Sequence, residues 1–258
     1  MKAPAAILWD VDGTLAETER DGHRVAFNLA FEELDLPWRW SIDRYGALLH
    51  VAGGRERLIA DLETQPGAPD DPAEREALAA RVHRLKNAYY AKLVRDRGIS
   101  FRPGVEDLLG ECESRGVPMG ITTTTSRSNL DALMAVNLGS AWKERFAAIV
   151  NGEDVTRKKP DPEVYEKAVS DMAISPGAAL AIEDSPDGVA AARGAGVPVM
   201  VARSSYFSDA VIDGAIAVGP GLHSRAGWVP GAADEDGRVT LDDIALWLEQ
   251  SRNVSSPG

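Results

Sequence analysis

Two acidic pairs stand directly after short apolar segments of the sequence. Asp10 and Asp12 follow the first such segment, and Glu183 and Asp184 follow Ala178–Ile182. Apolar runs of this length predict buried strands, and alternate residues at an extended strand end share one face. Carboxylates that converge on one edge of a sheet repel each other unless a cation lies between them, and hard oxygen ligands select Mg²⁺. The alternative is that the second pair lies in a solvated loop.

A run of hydroxyl side chains follows another apolar segment. Thr122 is expected to belong to the strand itself, because a β-branched residue suits that position. The residues after it, Thr123, Thr124, Thr125 and Ser126, lie where a strand would end. Hydroxyls at this place can bind phosphate oxygens.

Positive charge comes from the pair Lys158-Lys159. Asp161 is predicted to be the N-cap of a helix with Pro162 at its first position. Lys159 therefore lies close to a helix N-terminus, which favours anions. We expect Lys158 to be solvated.

Apolar runs alternate with amphipathic segments along most of the chain. The runs are Ala5–Trp9, Val117–Thr122, Ala147–Val150, Ala178–Ile182 and Val197–Val201. The amphipathic segments are Val105–Arg115, Ser128–Val136, Pro162–Ala173, Ser185–Ala195 and Leu241–Leu248. This alternation predicts an α/β fold, a doubly wound parallel sheet with crossover helices. Ligands bind such sheets beyond the carboxyl ends of the strands, where the acidic pairs lie.

Residues 17–98 interrupt this alternation. They contain long helical patterns, at His23–Leu34 and from Pro72 to Val94, with Asp70 or Asp71 as a candidate N-cap, and no convincing buried strand. We interpret residues 17–98 as an inserted α-helical domain, residues 1–16 and 99–250 as the α/β core, and residues 251–258 as a flexible tail. Trp38, Trp40 and Trp142 are expected to pack or to lie at the surface.

Taken together, these residues resemble a known family. Asp10-x-Asp12-Gly13-Thr14, Thr123, Lys159-Pro160 and Glu183-Asp184-Ser185 are similar in type and order to the motifs of the haloacid-dehalogenase (HAD) superfamily of phosphotransferases. Further similarity points to the CbbY-type sugar phosphatases, which include xylulose-1,5-bisphosphate phosphatase. It lies in Glu17-Thr18-Glu19, Gly22-His23-Arg24, Tyr45-Gly46, Gly53-Gly54-Arg55-Glu56-Arg57 and Lys158-Lys159-Pro160-Asp161-Pro162. One departure from the bacterial pattern is an extra residue between Glu19 and His23.

The resemblance implies a role for each core residue. Asp10 is the expected nucleophile, which forms an aspartyl-phosphate, and Asp12 is the expected general acid and base. Thr123 and Lys159 are expected to hold the phosphoryl group. Mg²⁺ is expected to bind Asp10, the main-chain carbonyl of Asp12 and Asp184, with Glu183 nearby.

The resemblance implies that the inserted helical domain, residues 17–98, is a cap domain over a catalytic core formed by residues 1–16 and 99–250. The cap is expected to determine which substrate binds. Arg55 follows two glycines and is our candidate for binding a second, non-reacting phosphate, because Arg binds phosphate through two donors. The candidate substrate-binding residues are Glu19, His23, Arg55, Arg57, Lys86, Thr124, Thr125 and Ser126.

Composition limits the partners and the location. The chain has 28 Lys and Arg against 40 Asp and Glu, a formal net charge of −12, so its surface repels nucleic acid and anionic membranes. No apolar run reaches the ~18 residues that span a bilayer, the start does not resemble a secretory signal, and there is one Cys. We therefore expect a cytoplasmic, monomeric protein that binds a small sugar phosphate.

Two enzyme functions remain open from the sequence. The first is a Mg²⁺-dependent phosphatase acting on a sugar phosphate, with xylulose-1,5-bisphosphate as the expected substrate. The second is a sugar phosphomutase of the β-phosphoglucomutase type, which returns the phosphoryl group to a sugar instead of water. A phospho-receiver module gathers similar residues, but it has neither a cap nor an acid/base group placed like Asp12.

Overall fold

A computed structural model of the chain describes residues 3–232 and 234–254. Within them a parallel six-stranded sheet has the order β3-β2-β1-β4-β5-β6. The strands are β1 (Ala6–Trp9), β2 (Met119–Thr122), β3 (Ala148–Val150), β4 (Ala179–Glu183), β5 (Val199–Ala202) and β6 (Ala217–Gly219). The predicted α/β class is confirmed. The edge strand β6 was not predicted.

Helices cover both faces of this sheet, as crossover connections between parallel strands require. They are α5 (Val105–Ser114), α6 (Arg127–Leu138), α7 (Glu163–Asp171), α8 (Pro186–Gly194) and α9 (Leu241–Val254). In β1, Ile7 and Trp9 belong to one apolar cluster, with α5, α6 and α9, and Leu8 belongs to the other, with α7 and α8. This alternation buries the strand on both faces and leaves its carboxyl end for polar residues.

Four further α-helices of the described chain lie between β1 and α5. They are α1 (Arg24–Glu33), preceded by a π-helical turn over Glu19–His23, and α2 (Ile42–Leu48), α3 (Gly54–Leu62) and α4 (Pro72–Arg97). Phe27 and Phe31 of α1 share an apolar cluster with Trp38 and Trp40, which lie between α1 and α2. Trp38 and Trp40 are buried packing residues, as is Trp142 in the sheet core. The exact division at residues 17 and 98 stays a prediction.

Local signals were correct at some helix ends and wrong at others. Asp71 is the N-cap of α4, and its carboxylate accepts a hydrogen bond from the Glu74 amide at 3.0 Å. The helix predicted to start at Pro162 begins one residue later, although Asp161 still accepts a bond from the Glu163 amide. The tail predicted from Ser251 begins too early, because α9 continues to Val254; residues 255–258 lie outside the described part. No described helix has the length and hydropathy needed to cross a membrane.

Candidate active site

The carboxyl ends of β1 and β4 bring the two acidic pairs together. These strands are parallel neighbours, with Trp9 opposite Ile182, so the residues that follow them meet at one edge. Oxygen atoms of Asp10, Glu183 and Asp184 all lie within 4.8 Å of one another, and all three residues are buried. The alternative of a solvated loop for the second pair is therefore wrong.

Lys159 is the cation of this cluster. Its Nζ donates to Asp10 Oδ1 at 2.7 Å, to Glu183 Oε1 at 2.6 Å and to the Thr122 carbonyl at 2.8 Å. The Tyr165 hydroxyl, on α7, also donates to Glu183 Oε1. Burial alone would lower the pKa of Lys159, but Asp10 and Glu183 outweigh it and hold the pKa well above its usual value.

One lysine leaves this cluster with an excess of buried negative charge. Burial, with repulsion from Glu183, raises the pKa of Asp10 to about 7 although Lys159 opposes the shift. Burial and repulsion from Asp10 and Glu183 also raise the pKa of Asp184. Asp10 Oδ2 and Glu183 Oε2 are buried and have no hydrogen-bond partner among the described residues. Oxygen donors with unsatisfied negative charge are the set that could hold a divalent cation.

Asp12 directs its carboxylate away from the cluster. Its Oδ1 accepts a hydrogen bond from the Thr18 hydroxyl and lies 2.9 Å from Nε2 of His23. Burial tends to raise the pKa of Asp12, but the charge and hydrogen bond of His23 and the Thr18 bond outweigh it, and the pKa falls to about 2. Among the described residues the acidic cluster consists of Asp10, Glu183 and Asp184, and a metal contact through the main-chain carbonyl of Asp12 stays a prediction. His23 itself is buried and stacked on Tyr90, with ring centroids 4.2 Å apart.

Some residues of the hydroxyl run, 122–126, hold the local backbone, and others line a cavity. Thr122 is in β2, as expected, and Thr123 is buried at the strand end, where its Oγ1 accepts a bond from the Thr125 amide at 3.1 Å. Ser126 is the N-cap of α6. Thr124, Thr125 and Ser126 line the cavity described next.

Two adjoining cavities of about 270 Å³ each meet at this site. The acidic cavity is lined by Asp10, Asp184 and Lys159, and the cationic cavity by Arg55, Lys86 and Lys158. The residues that line both are Asp12, Glu19, Arg57 and Thr124. The two cavities thus adjoin at Asp12. Carboxylates outnumber cations in the acidic cavity, whereas the cationic cavity holds them in equal number, with Glu56 and Glu153 among its carboxylates.

The cap residues predicted to bind substrate occupy different environments. Glu19 accepts a hydrogen bond from the Tyr45 hydroxyl and lies 3.4 Å from Nη1 of Arg57, which is buried. Arg55 pairs with Glu76 and keeps 49% of its side chain exposed, so it lies at the rim of the cationic cavity.

Lys86 differs from these arginines because its charge is buried without a carboxylate partner. It is 3% exposed, and its Nζ donates to Asn87 Oδ1 at 3.4 Å. Burial lowers the pKa of Lys86 to about 8, although Glu19 and Asp12 oppose the shift.

Several residues of the site were missed or misjudged from the sequence. Lys158 is not merely solvated: it lines the cationic cavity, and its Nζ lies 2.6 Å from Oε1 of Glu56 on α3. Its adjacency to Lys159 was the available signal. Asn129 and His83 also line that cavity, and burial lowers the pKa of His83 to about 4, so it is neutral at pH 7. Helix-face polar residues such as these carry no signal in one sequence.

Comparison with known proteins agrees with this geometry. A family model described as haloacid dehalogenase-like hydrolase matches residues 4–196. Protein CbbY, plasmid, of Cupriavidus necator is 41% identical over 237 residues, covering 88% of this chain and 91% of the relative. Phosphoglycolate phosphatase of Rhodospirillum rubrum is 31% identical over 228 residues, covering 88% of this chain and 91% of the relative.

The fold of the chain also resembles that of a relative with a known crystal structure. A mutant CbbY from Rhodobacter sphaeroides, in complex with xylulose-(1,5)bisphosphate, superimposes with a TM-score of 0.76 at 38% identity, covering 82% of this chain and 92% of that one. The chain therefore belongs to the haloacid dehalogenase-like hydrolases. Within them it is a CbbY-like phosphatase, related to phosphoglycolate phosphatase. The family and enzyme class predicted from the motifs are confirmed.

Proposed function

We propose that this phosphatase is Mg²⁺-dependent and hydrolyses a sugar bisphosphate, xylulose-1,5-bisphosphate, through an aspartyl-phosphate on Asp10. The observation that carries the proposal is the pair of cavities meeting at Asp12. The acidic cavity holds the nucleophile and Lys159, and the cationic cavity offers Lys86, Arg55 and Lys158 to a second phosphate. The CbbY relative that was crystallised with xylulose-(1,5)bisphosphate supports this choice of substrate.

The donor set of the acidic cavity fits Mg²⁺. The unpartnered oxygens of Asp10 and Glu183, and the raised pKa values of Asp10 and Asp184, indicate a centre that lacks positive charge. Asp10, Asp184 and the Asp12 carbonyl would hold the ion, with Glu183 nearby. Bound there, Mg²⁺ would neutralise phosphoryl charge, so that one anion can approach another.

The side chains then divide the reaction between them. The Asp10 carboxylate attacks phosphorus, and Lys159 and Thr123 hold the phosphoryl oxygens. Asp12 protonates the departing sugar oxygen and later accepts a proton from the water that cleaves the aspartyl-phosphate. Asp12 is ionised while His23 and Thr18 bind it, since its pKa is about 2. The approach of a dianionic phosphate raises that pKa, because like charge disfavours the ionised form.

A phosphate-release screen tests the substrate and the metal together. Sugar monophosphates, sugar bisphosphates and p-nitrophenyl phosphate are compared with Mg²⁺ and with EDTA. We expect the largest kcat/KM for the ketopentose bisphosphate and no turnover in EDTA. Equal kcat/KM values for monophosphates and bisphosphates would contradict the bisphosphate assignment. Transfer between positions of a sugar without phosphate release would instead identify a mutase.

Variants of the cationic cavity make the screen sharper. Lys86→Met and Arg55→Ala each remove one cation, and a lost charge-assisted contact costs about 1.5–3 kcal/mol, or roughly tenfold to hundredfold in kcat/KM. We expect a larger loss for Lys86→Met, because Arg55 is half exposed and paired with Glu76. Use of p-nitrophenyl phosphate, which has no second phosphate, is the internal control. A loss that is equal on both substrates would exclude a distal-phosphate role.

A further inference from the structure

Arg102 lies in the segment between α4 and α5, the second connection between the cap helices and the sheet. Its guanidinium is largely buried, with 12% of the side chain exposed. Nη1 donates to the carbonyls of Gly13 and, at 2.8 Å, Ala202, and Nη2 donates to the Arg203 carbonyl. One side chain therefore joins the loop after β1 to the loop after β5.

The same residue also holds the first connection to the cap. The Arg102 amide donates to the Leu15 carbonyl at 2.7 Å, and Nε lies 3.5 Å from Oε1 of Glu17. Glu17 in turn accepts a hydrogen bond from the Ser205 hydroxyl at 2.8 Å. Both chain segments that lead into the cap are thus tied, through Arg102, to the end of β5.

The hydrogen bond from Arg102 to Gly13 connects these restraints to the active-site loop. Gly13 directly follows Asp12, has φ +91°, and its α-carbon packs so closely on Asp184 that an added Cβ would lie 2.1 Å from Asp184 Oδ2. A turn in such tight contact cannot shift without displacing Asp12 or Asp184. Arg102 binds the Gly13 carbonyl and so restrains this turn, although Arg102 is not among the described residues that line the two cavities.

We propose that Arg102 is a positioning residue for the general acid Asp12. The inference rests on the proposed function, since it requires that Asp12 protonate the leaving group. Thr18 and His23 orient the carboxylate of Asp12. Arg102 fixes the position of the Asp12–Gly13 main chain relative to Asp184. A general acid must reach hydrogen-bond distance of the departing oxygen, so a small displacement of this turn reduces proton transfer more than it reduces attack by Asp10.

Leaving-group dependence separates this role from a general loss of structure. Phenyl phosphate and p-nitrophenyl phosphate differ only in the nitro group, and phenolate is the poorer leaving group that needs the proton more. In Arg102→Gln we expect kcat/KM for phenyl phosphate to fall about tenfold more than for p-nitrophenyl phosphate, part of the roughly 10²–10⁴-fold that acid catalysis supplies. A loss that is equal for the two substrates would overturn the proposal.

Arg203→Gln is the matched control. Arg203 also clamps the loop after β5, through the carbonyls of Phe207 at 2.9 Å and Ala210 at 2.7 Å, but its guanidinium has no bond to Gly13. Arg203→Gln should reduce kcat/KM by the same factor for both aryl phosphates. If Arg203→Gln shows the same leaving-group selectivity as Arg102→Gln, the effect belongs to the loop in general and the proposal is wrong.

Two further variants make every result interpretable. Arg102→Lys keeps the charge and one or two of the carbonyl bonds, and should show an intermediate selectivity where Arg102→Gln does not fold. Asp12→Asn reports on the proposed function itself, because it must show the largest leaving-group selectivity. Selectivity in Asp12→Asn without any in the Arg102 variants would refute the positioning role alone. If Asp12→Asn shows no leaving-group selectivity, the acid role of Asp12 is refuted.

Discussion

Replacing Lys86 with Met should make the protein more stable while it impairs the use of a bisphosphate. The ammonium of Lys86 is buried, and within the described residues no carboxylate lies within salt-bridge distance of it. Its near contacts are Asn87 and the rings of Phe27 and Tyr90, 5.3 and 5.4 Å from Nζ. Such a charge is stabilised fully only when an anion enters the cavity.

The size of the effect follows from the lowered pKa of Lys86. A fall from 10.5 to about 8 corresponds to roughly 3 kcal/mol at about 1.4 kcal/mol per pH unit. The two cation–π contacts offset about 1 kcal/mol of this cost. Lys86→Met, which keeps an unbranched side chain as far as the ε-carbon, should therefore raise the free energy of unfolding at pH 7 by about 2 kcal/mol.

The pH dependence has a definite sign. Between pH 8 and 10.5 the folded protein has lost the Lys86 proton while the unfolded chain keeps it, because the folded pKa is the lower one. Stability of the parent protein rises with pH over this window, since the unfolded state binds more protons. The advantage of Lys86→Met should consequently shrink between pH 7 and pH 10.

Urea unfolding of the metal-free proteins at pH 7 and pH 10 measures both effects. Lys92→Met is the matched control, because Lys92 lies exposed on the same helix. It should change stability by no more than about 0.5 kcal/mol at either pH. A destabilised Lys86→Met at pH 7, or a difference from the parent that is the same at both pH values, would refute the reasoning.

Three other variants test the site. Asp10→Asn should abolish phosphate release. Burial and Glu183 raise the pKa of Asp10 from 3.8 to about 7, so the metal-free parent loses stability as pH rises from about 4 to 7. The stability of the variant relative to the parent should therefore increase between about pH 5 and pH 8 in urea unfolding, and an unchanged difference would contradict this. Asp12→Ala should slow water attack more than phosphoryl transfer from p-nitrophenyl phosphate, so mass spectrometry should find phosphate on Asp10; wild-type turnover of the natural substrate would contradict this. Glu56→Gln removes the partner of Lys158, which leaves that ammonium available to a bisphosphate and should lower its KM. The stability cost should stay below about 1 kcal/mol because the pair is partly exposed, and an unchanged KM would exclude Lys158 from binding.

The sequence by itself determined the sheet core and the chemistry at its edge. Strands such as Ala6–Trp9 are buried on both faces and are therefore uniformly apolar, which makes them visible without any structure. Asp10 and Glu183 stand at the ends of such strands, so the parallel arrangement alone predicted that they would meet. Their roles as nucleophile and metal ligand remain predictions.

The cap shows where local pattern stops being informative. Helices α2 and α3 have seven and nine residues and were not predicted individually. They are stabilised by tertiary packing, because Tyr45 of α2 and Leu58 of α3 are buried in the same apolar cluster. The cationic cavity draws residues from α3, α4, α6 and the Lys158 loop, which are distant in the chain.

Only the tertiary structure decided which polar residues act together. Arg55 and Arg57 look equivalent in sequence, yet one lies at a rim beside Glu76 and the other is buried beside Tyr45 and Glu19. Arg102 looks like a residue of a linker, yet the carbonyls that its guanidinium binds lie 89 to 118 residues away in the chain. The physical reason is that burial and partner choice depend on contacts between distant segments, whereas strand and helix patterns depend on neighbouring residues.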